Sequence, residues 1–186
     1  MKAIAIGSSS GGPKALTEVI KNLPADLDAV VIILQHLPLT FTKSMSERLN
    51  EISPIKVSQV LNGETLEGSH VYVVPEGFNF FITSPNMQAY LLKATSLNKP
   101  SINMGFASMA ETFGPELTGV ILTGMGEDGT IGSKLIKNFG GTIIAQDEES
   151  SEIFGMPKSI QDSGLADEIL PLKKIAPRLV ESVNAH

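Results

Sequence analysis

Short apolar runs of strand length alternate along this chain with segments whose apolar residues recur at helical spacing. The runs at 3–6 and 30–34 contain no polar residue, which is typical of strands buried on both faces of a parallel sheet. We predict strands at 2–6, 29–34, 57–60, 71–74, 119–122 and 141–145. We predict helices at 13–22, 41–50, 101–113, 129–138, 159–164 and 175–184.

Two further segments, 78–83 and 89–93, alternate more strongly between apolar and polar residues and are separated by Ser84, Pro85 and Asn86. This pattern predicts an antiparallel hairpin at a sheet edge. Thr40 is the expected N-cap of the helix that starts at residue 41. The whole pattern predicts an α/β fold. Its doubly wound, mainly parallel sheet has helices on both faces and an antiparallel hairpin at the edge.

The composition favours one soluble globular domain over residues 1–186, with 42% hydrophobic and 18% charged residues. No apolar run approaches the roughly 20 residues of a membrane span, and no signal-peptide core is present, so we expect a cytoplasmic protein without membrane insertion. The absence of cysteine excludes disulfides, thiolate metal sites and a cysteine nucleophile. A net charge of −6 with scattered basic residues argues against a nucleic-acid partner.

A serine-rich turn follows the first predicted strand. Gly7, Ser9 and Gly11 fit the pattern G-x-S-x-G, in which a sharp strand-to-helix turn exposes a nucleophilic serine. The adjacent helix N-terminus offers backbone N–H groups that stabilise an oxyanion. The same residues also suit an anion-binding loop or a plain capping turn, and the pattern alone leaves these alternatives open. A Walker P-loop is excluded because Gly12 is followed by Pro13.

Two other strands end in residues with hydrolase chemistry. His36 directly follows the second strand, and Asp128 lies in a glycine-rich turn after the strand at 119–122. Because the carboxyl ends of parallel strands share one edge, that edge gathers a serine, a histidine and an aspartate. These are the residue types of a serine hydrolase, although a structural histidine and a helix-capping aspartate are the plainer interpretations.

The turn at 124–129 also matches the dinucleotide-binding pattern G-x-G-x-x-G and is followed by a strand ending near Asp147. A nucleotide-binding α/β domain is therefore an alternative function. Glu127 and Asp128 argue against it, because they place two carboxylates where a pyrophosphate would have to bind. A third interpretation is a non-catalytic adaptor of the same fold that binds a protein partner.

Several motifs in a fixed order resemble the catalytic domain of the CheB-type chemotaxis protein-glutamate methylesterases. They lie at 6–13, 35–38, 41–50, 120–129, 145–148 and 154–157, so the resemblance spans nearly the whole chain. It implies a serine esterase that removes methyl esters from glutamate side chains of chemotaxis receptors and releases methanol. In some members it also implies deamidation of receptor glutamine. No cofactor or metal is expected.

The resemblance assigns Ser9 as nucleophile, His36 as general base and Asp128 as the carboxylate that orients it. Ser10 occupies the position of a threonine that helps place the histidine, and Met125 matches the residue whose backbone N–H contributes to the oxyanion hole. The implied partner is the cytoplasmic domain of a methyl-accepting receptor. The chain starts at the first catalytic-domain strand, so we expect 1–186 to lack the family's N-terminal receiver domain. A stand-alone enzyme and one domain of a longer protein both fit this start, and a separate receiver domain is a candidate partner.

Four positions depart from the family pattern. Ser8 stands in place of the usual alanine, and Asn79 in place of a histidine. Lys99 replaces an arginine, which removes a planar fork for bidentate binding, and Asn103 replaces an aspartate, which removes a charge. Because the triad residues are retained, we expect hydrolase chemistry to persist. We expect the changes at Lys99, Asn79 and Asn103 to alter substrate binding, so that the substrate is a divergent receptor or another protein ester.

Overall fold

The computed structural model describes residues 1–37, 41–95 and 100–185. Two predicted positions, the N-cap Thr40 and the substrate-binding Lys99, lie outside these residues. None of the helices within the described ranges is both long enough and apolar enough to cross a membrane.

A seven-stranded parallel sheet forms the centre of the molecule, with strand order β3-β4-β2-β1-β7-β8-β9. Its strands are β1 (Lys2–Ser8), β2 (Ala29–Gln35), β3 (Lys56–Gln59), β4 (His70–Val73), β7 (Leu117–Ile121), β8 (Thr142–Gln146) and β9 (Glu168–Leu170). β1 pairs with β2 on one side and with β7 on the other, so these three strands are adjacent at the middle of the sheet.

Helices cover both faces of the sheet. They are α1 (Gly12–Ile20), α2 (Phe41–Ile52), α3 (Ile102–Phe113), α4 (Thr130–Asn138), α5 (Met156–Asp162) and α6 (Leu172–Asn184). Along β1, Ile4 and Ile6 pack into the core beneath α1, α2 and α6, whereas Ala3 and Ala5 pack into the core beneath α3, α4 and α5. Alternate residues of a strand face opposite sides, so an uninterrupted apolar strand supplies both cores.

The predicted hairpin is present as β5 (Phe78–Thr83) and β6 (Gln88–Lys93), which pair in antiparallel register. It forms its own two-stranded sheet and, among the described residues, does not pair with a strand of the main sheet. Phe80 and Ile82 contribute instead to the core shared with α3, so packing on that helix determines where the hairpin lies. The parallel architecture agrees with the sequence-based prediction.

The elements differ from the predicted ones mainly at the C-terminal end. β9 was not predicted, because its three residues include only two apolar ones, Ile169 and Leu170, and are too few to show a strand pattern. α5 starts three residues earlier than predicted, at Met156, and Pro157 in its first turn suits the start of a helix. Such short elements depend on tertiary contacts more than on local sequence preference.

A buried histidine lies at the opposite edge of the sheet from the serine turn, at the start of β4. The ring of His70 stacks on Tyr72 with 3.9 Å between ring centroids, and its Nε2 is 2.8 Å from the hydroxyl of Ser58. Burial and the nearby Lys56 lower the pKa of His70 from 6.5 to about 4, and Glu67 only partly opposes this. The folded protein therefore holds His70 neutral at pH values where the unfolded chain binds a proton.

We expect His70 to make the protein less stable in mild acid. Because its folded pKa is depressed, its destabilising effect is absent above pH 6.5, grows as the pH falls, and is complete near pH 4. At about pH 5 the unfolded state gains about 2 kcal/mol relative to about pH 7.5. Urea unfolding of wild type and His70→Gln at both pH values measures this. The variant should lose less stability on acidification, and equal losses would contradict the assignment.

Candidate active site

The turn after β1 presents three consecutive serines in different surroundings. Ser8 is fully buried and its hydroxyl donates a hydrogen bond to Oε1 of Gln35. Ser10 is exposed. Ser9 is partly buried between them, and its backbone N–H donates to the carbonyl of Thr123 at 3.0 Å. Burial and the bond to Gln35 make Ser8 unsuitable as a nucleophile, and the assignment of this role to Ser9 stays a prediction.

His36 is the first residue after β2, and its backbone N–H donates to the carbonyl of Ser8 at 3.1 Å. The neighbouring strand end therefore holds the histidine beside the serine turn. Its ring Nε2 lies 2.8 Å from Oδ2 of Asp128. A carboxylate accepts, so Nε2 carries the hydrogen and Nδ1 is the nitrogen with a free lone pair in the neutral ring.

The carboxylate of Asp128 is buried and accepts three hydrogen bonds. Besides His36, the backbone N–H of Ile102 donates to Oδ2 at 2.9 Å and that of Asn103 donates to Oδ1 at 3.0 Å. Burial by itself raises the pKa of Asp128, but the bonds from His36, Ile102 and Asn103 outweigh it, so the pKa lies below the ordinary value. Asp128 is consequently ionised at neutral pH. Its carboxylate is held against the first backbone N–H groups of α3.

Two of the residues predicted to bind substrate make structural hydrogen bonds. Oδ1 of Asn103 accepts from the backbone N–H groups of Gly129 and Gly132, both at 2.9 Å. Oδ1 of Asn79, a buried residue, accepts from the backbone N–H of Ser101 at 2.9 Å. Asn79 thus connects β5 to the residue that caps α3, and Asn103 connects the start of α3 to the turn that precedes α4 and to its first residues. Their contact with substrate stays a prediction.

The backbone at Gly124 passes directly against Ser9. A Cβ atom placed on Gly124 would lie 2.8 Å from Cβ of Ser9 and 2.9 Å from its backbone nitrogen, so only glycine fits there without a shift. The carbonyl of Gly124 accepts from the backbone N–H of Met156 at 2.8 Å, which holds the segment in place. Within the described ranges, the backbone N–H of Met125 has no hydrogen-bond acceptor, and its contribution to an oxyanion hole stays a prediction.

The structure therefore brings His36 and Asp128 into contact and places Ser9 at the same edge of the sheet. In the described part of the chain, no hydrogen bond joins the hydroxyl of Ser9 or of Ser10 to the ring of His36. Catalytic hydrogen bonds are often long in free enzymes and shorten when substrate binds. The roles predicted for Ser9 and Ser10 stay predictions at this point.

Comparison with known proteins places this site in a family. The family model for CheB methylesterase matches residues 4–179. The chain belongs to the CheB methylesterase family. The crystal structure of the Thermotoga maritima CheB methylesterase catalytic domain superposes with a TM-score of 0.93 at 39% identity, covering 97% of each chain.

Curated relatives carry the same family name. A protein-glutamate methylesterase/protein-glutamine glutaminase from Saccharophagus degradans is 42% identical over 185 residues, which is 98% of this chain and 51% of that protein. The one from Thermotoga maritima is 39% identical over 186 residues, 98% of this chain and 54% of that protein. This chain thus spans about half the length of the curated relatives it matches. These matches do not support the nucleotide-binding or adaptor alternatives.

Two buried amides at strand ends near this site were not predicted from the sequence. Gln35 and Gln146 end the strands β2 and β8 and are both fully buried. Oε1 of Gln146 accepts from the backbone N–H of Thr123 at 2.8 Å, and the Thr123 hydroxyl donates to the carbonyl of Ser10 at 2.9 Å. The available signal was a glutamine at the end of a wholly apolar strand, because a buried amide requires partners.

The described residues contain no group of three or more His, Asp or Glu side chains placed to hold a metal ion. Beside the serine turn, a Cβ atom on Gly11 would come within 2.9 Å of a carboxylate oxygen of Glu152. A carboxylate at this position disfavours phosphate, which is bound by N–H groups and cations.

Proposed function

We propose that this chain is a serine esterase that hydrolyses glutamate methyl esters on methyl-accepting chemotaxis receptors and releases methanol. The contact between His36 and Asp128 is the observation that carries the proposal. It lies beside Ser9, at the strand edge where α/β folds bind ligands. The names of the relatives, protein-glutamate methylesterase/protein-glutamine glutaminase, supply the substrate class.

The reaction begins with attack of Ser9 Oγ on the ester carbonyl carbon, while Nδ1 of His36 takes the hydroxyl proton. The carbonyl oxygen of the tetrahedral intermediate becomes negative and accepts from backbone donors, including the N–H of Met125. His36 then gives its proton to the departing methoxide, which leaves as methanol. Water, deprotonated by His36, attacks the acyl-enzyme and releases the glutamate carboxylate and free Ser9.

Asp128 contributes by orientation and charge. Its hydrogen bond to Nε2 fixes the tautomer in which Nδ1 is the base, and its negative charge stabilises the imidazolium that forms during each transfer. The three hydrogen bonds that it accepts hold it rigid, and its depressed pKa keeps it ionised throughout the neutral range.

Receptor glutamine is a second substrate in this proposal. A side-chain amide and a methyl ester differ only in the leaving group, so attack by Ser9 gives the same acyl-enzyme and releases ammonia instead of methanol. Amides are the less reactive carbonyls, and we expect the ester to be the faster substrate. Neither reaction requires a metal or an organic cofactor.

The proposed partner is the cytoplasmic domain of a chemotaxis receptor, which places the enzyme in the cytoplasm. The curated relatives are about twice as long as this chain, and their remaining length is where a receiver domain would lie. We include regulation by such a domain in the proposal. Nucleic acid and membrane insertion have no part in it.

Substrate recognition is the part in which this chain should differ from typical members. Lys99, Asn79 and Asn103 replace charged or planar groups of the family pattern. We propose that the preferred receptor is divergent. Assays with methylated receptors from several chemotaxis classes test this, with a strong preference for one class as the expected result. Equal turnover of all classes would refute the divergent specificity without affecting the esterase proposal.

The direct test of the function is mass spectrometry of receptor peptides before and after incubation with this chain. Hydrolysis converts each glutamate methyl ester into a glutamate, with loss of one methylene group, and each deamidated glutamine exchanges NH for O. We expect both products at the methylation sites, with esters converted first. Receptors that keep every ester, under conditions in which a known family member removes them, would contradict the proposal.

A further inference from the structure

We infer that Gln35 is a positioning residue of the reaction: one buried amide group holds the nucleophile turn and the histidine in register. The inference rests on the proposed function and deepens it, since it concerns the same site. Gln35 ends β2, is fully buried, and directly precedes His36. No other described side chain hydrogen-bonds to the backbone of both Ser9 and His36.

The hydrogen bonds of this amide form a bridge. Nε2 of Gln35 donates one hydrogen to the carbonyl of Ser9 at 2.9 Å and the other to the carbonyl of His36 at 2.7 Å. Carbonyls only accept, so the orientation of the amide is fixed, and Oε1 faces the Ser8 hydroxyl that donates to it. The residues proposed as nucleophile and base thus share the two hydrogens of a single NH₂ group.

The bridge matters because it continues the connection between the two strand ends beyond the last paired residues, Ser8 and Gln35. The backbone N–H of His36 donates to the carbonyl of Ser8, and no side-chain hydrogen bond joins Ser9 to His36 within the described residues. Proton transfer requires the hydroxyl and ring nitrogen to approach within about 3 Å, and a misplacement of about 1 Å costs roughly 100-fold in rate. By holding the backbone carbonyls of Ser9 and His36, Gln35 restricts how far apart the two side chains can lie.

Two neighbouring residues, Gly12 and Ser8, accommodate the Gln35 amide. Gly12, the first residue of α1, has no Cβ, and a Cβ there would overlap Oε1 of Gln35. Ser8, which stands where the family pattern has alanine, supplies the hydroxyl that Oε1 accepts. In this chain Ser8 therefore orients Gln35, and Gln35 orients Ser9 and His36.

The test compares Gln35→Met with wild type at a temperature where both are folded. Methionine has nearly the same volume and no hydrogen-bonding group that can donate. We expect kcat for methanol release to fall about 100-fold while KM changes less than about 3-fold, because substrate contacts remain. Labelling of Ser9 by a fluorophosphonate, in which Ser9 Oγ displaces fluoride from phosphorus, should slow by a similar factor per folded molecule.

Gln146→Met is the matched control. Gln146 is also a fully buried glutamine at the end of a parallel strand. Its Nε2 donates to the carbonyl of Ser150 at 2.8 Å and its Oε1 accepts from the backbone N–H of Thr123, so its hydrogen bonds reach the serine turn only through Thr123. It contacts neither Ser9 nor His36. We expect this variant to lose at least ten-fold less kcat than Gln35→Met. Equal losses of kcat in both variants would show that the loss of any buried amide has this effect, and would overturn the inference.

A second variant keeps the test valid if Gln35→Met fails to fold. If Gln35→Met does not fold because the Ser8 hydroxyl is left without an acceptor, Ser8→Ala/Gln35→Met removes both partners and avoids that penalty. Ser8→Ala alone keeps the NH₂ bridge and should lose less than about 5-fold in kcat. Unchanged kcat and labelling in the folded Gln35 variants would refute the positioning role. A wild type that neither hydrolyses receptor esters nor labels at Ser9 would refute the proposed function itself.

Discussion

Replacement of Ser9 by alanine is expected to reduce methanol release from methylated receptor membranes by at least about 10³-fold, the usual consequence of removing a triad nucleophile. Neighbouring hydroxyls cannot substitute. Ser8 is buried, and its hydroxyl donates to Gln35. Ser10 is exposed to solvent, and its backbone carbonyl accepts from the Thr123 hydroxyl. The residual rate reflects the oxyanion donors and substrate binding alone.

The Ser9→Ala protein should be as stable as wild type. The Ser9 hydroxyl makes no hydrogen bond with any described residue, and its backbone bonds to Thr123 and Gly12 do not depend on the side chain. Thermal unfolding followed by circular dichroism provides this control. Methanol release that persists in a folded Ser9→Ala protein would show that another group is the nucleophile.

Asp128→Asn is expected to lower kcat by about 10³-fold to 10⁴-fold, because the histidine loses the acceptor that fixes its tautomer. Asparagine offers one oxygen where Asp128 accepts from Ile102, Asn103 and His36. Its NH₂ group must then face at least one of these N–H donors. If it faces Nε2, the ring takes its hydrogen on Nδ1 and can no longer accept the proton of Ser9.

The same substitution should also cost stability, on the order of 1–3 kcal/mol, because a buried backbone N–H at the start of α3 loses its acceptor. Asn103→Ala is the control for this effect. It removes the acceptor for Gly129 and Gly132 but leaves the carboxylate of Asp128 in place. Denaturant unfolding and steady-state kinetics on both variants separate the two consequences. Full activity in folded Asp128→Asn would contradict the orienting role.

The parallel sheet and the edge that carries the site were predictable from the sequence. Apolar runs identify β1, β2 and β7 as buried parallel strands. The turns that follow such strands lie at the same edge of the sheet. Ser9, His36 and Asp128 follow from that rule. The 2.8 Å contact between His36 and Asp128 agrees with it, even though the residues are far apart in the chain.

The supporting hydrogen bonds were not predictable in the same way. Gln35 ends a strand like any polar residue, and nothing local indicates that its amide bridges two carbonyls. Asn103 was predicted to bind substrate, yet its oxygen accepts from two backbone N–H groups of the next turn. The partners of a side chain in a buried polar network come from distant segments, so their identity depends on the completed fold.

The most direct test of the central claim, that His36 and Asp128 activate Ser9, is the site and rate of fluorophosphonate labelling in wild type and Asp128→Asn. We predict a single adduct on the peptide that carries Ser9 in wild type, and labelling slowed by at least about 100-fold in the variant. An adduct on Ser8, Ser10 or any other residue would contradict the assignment of the nucleophile. Equal labelling rates in the two proteins would contradict activation through Asp128.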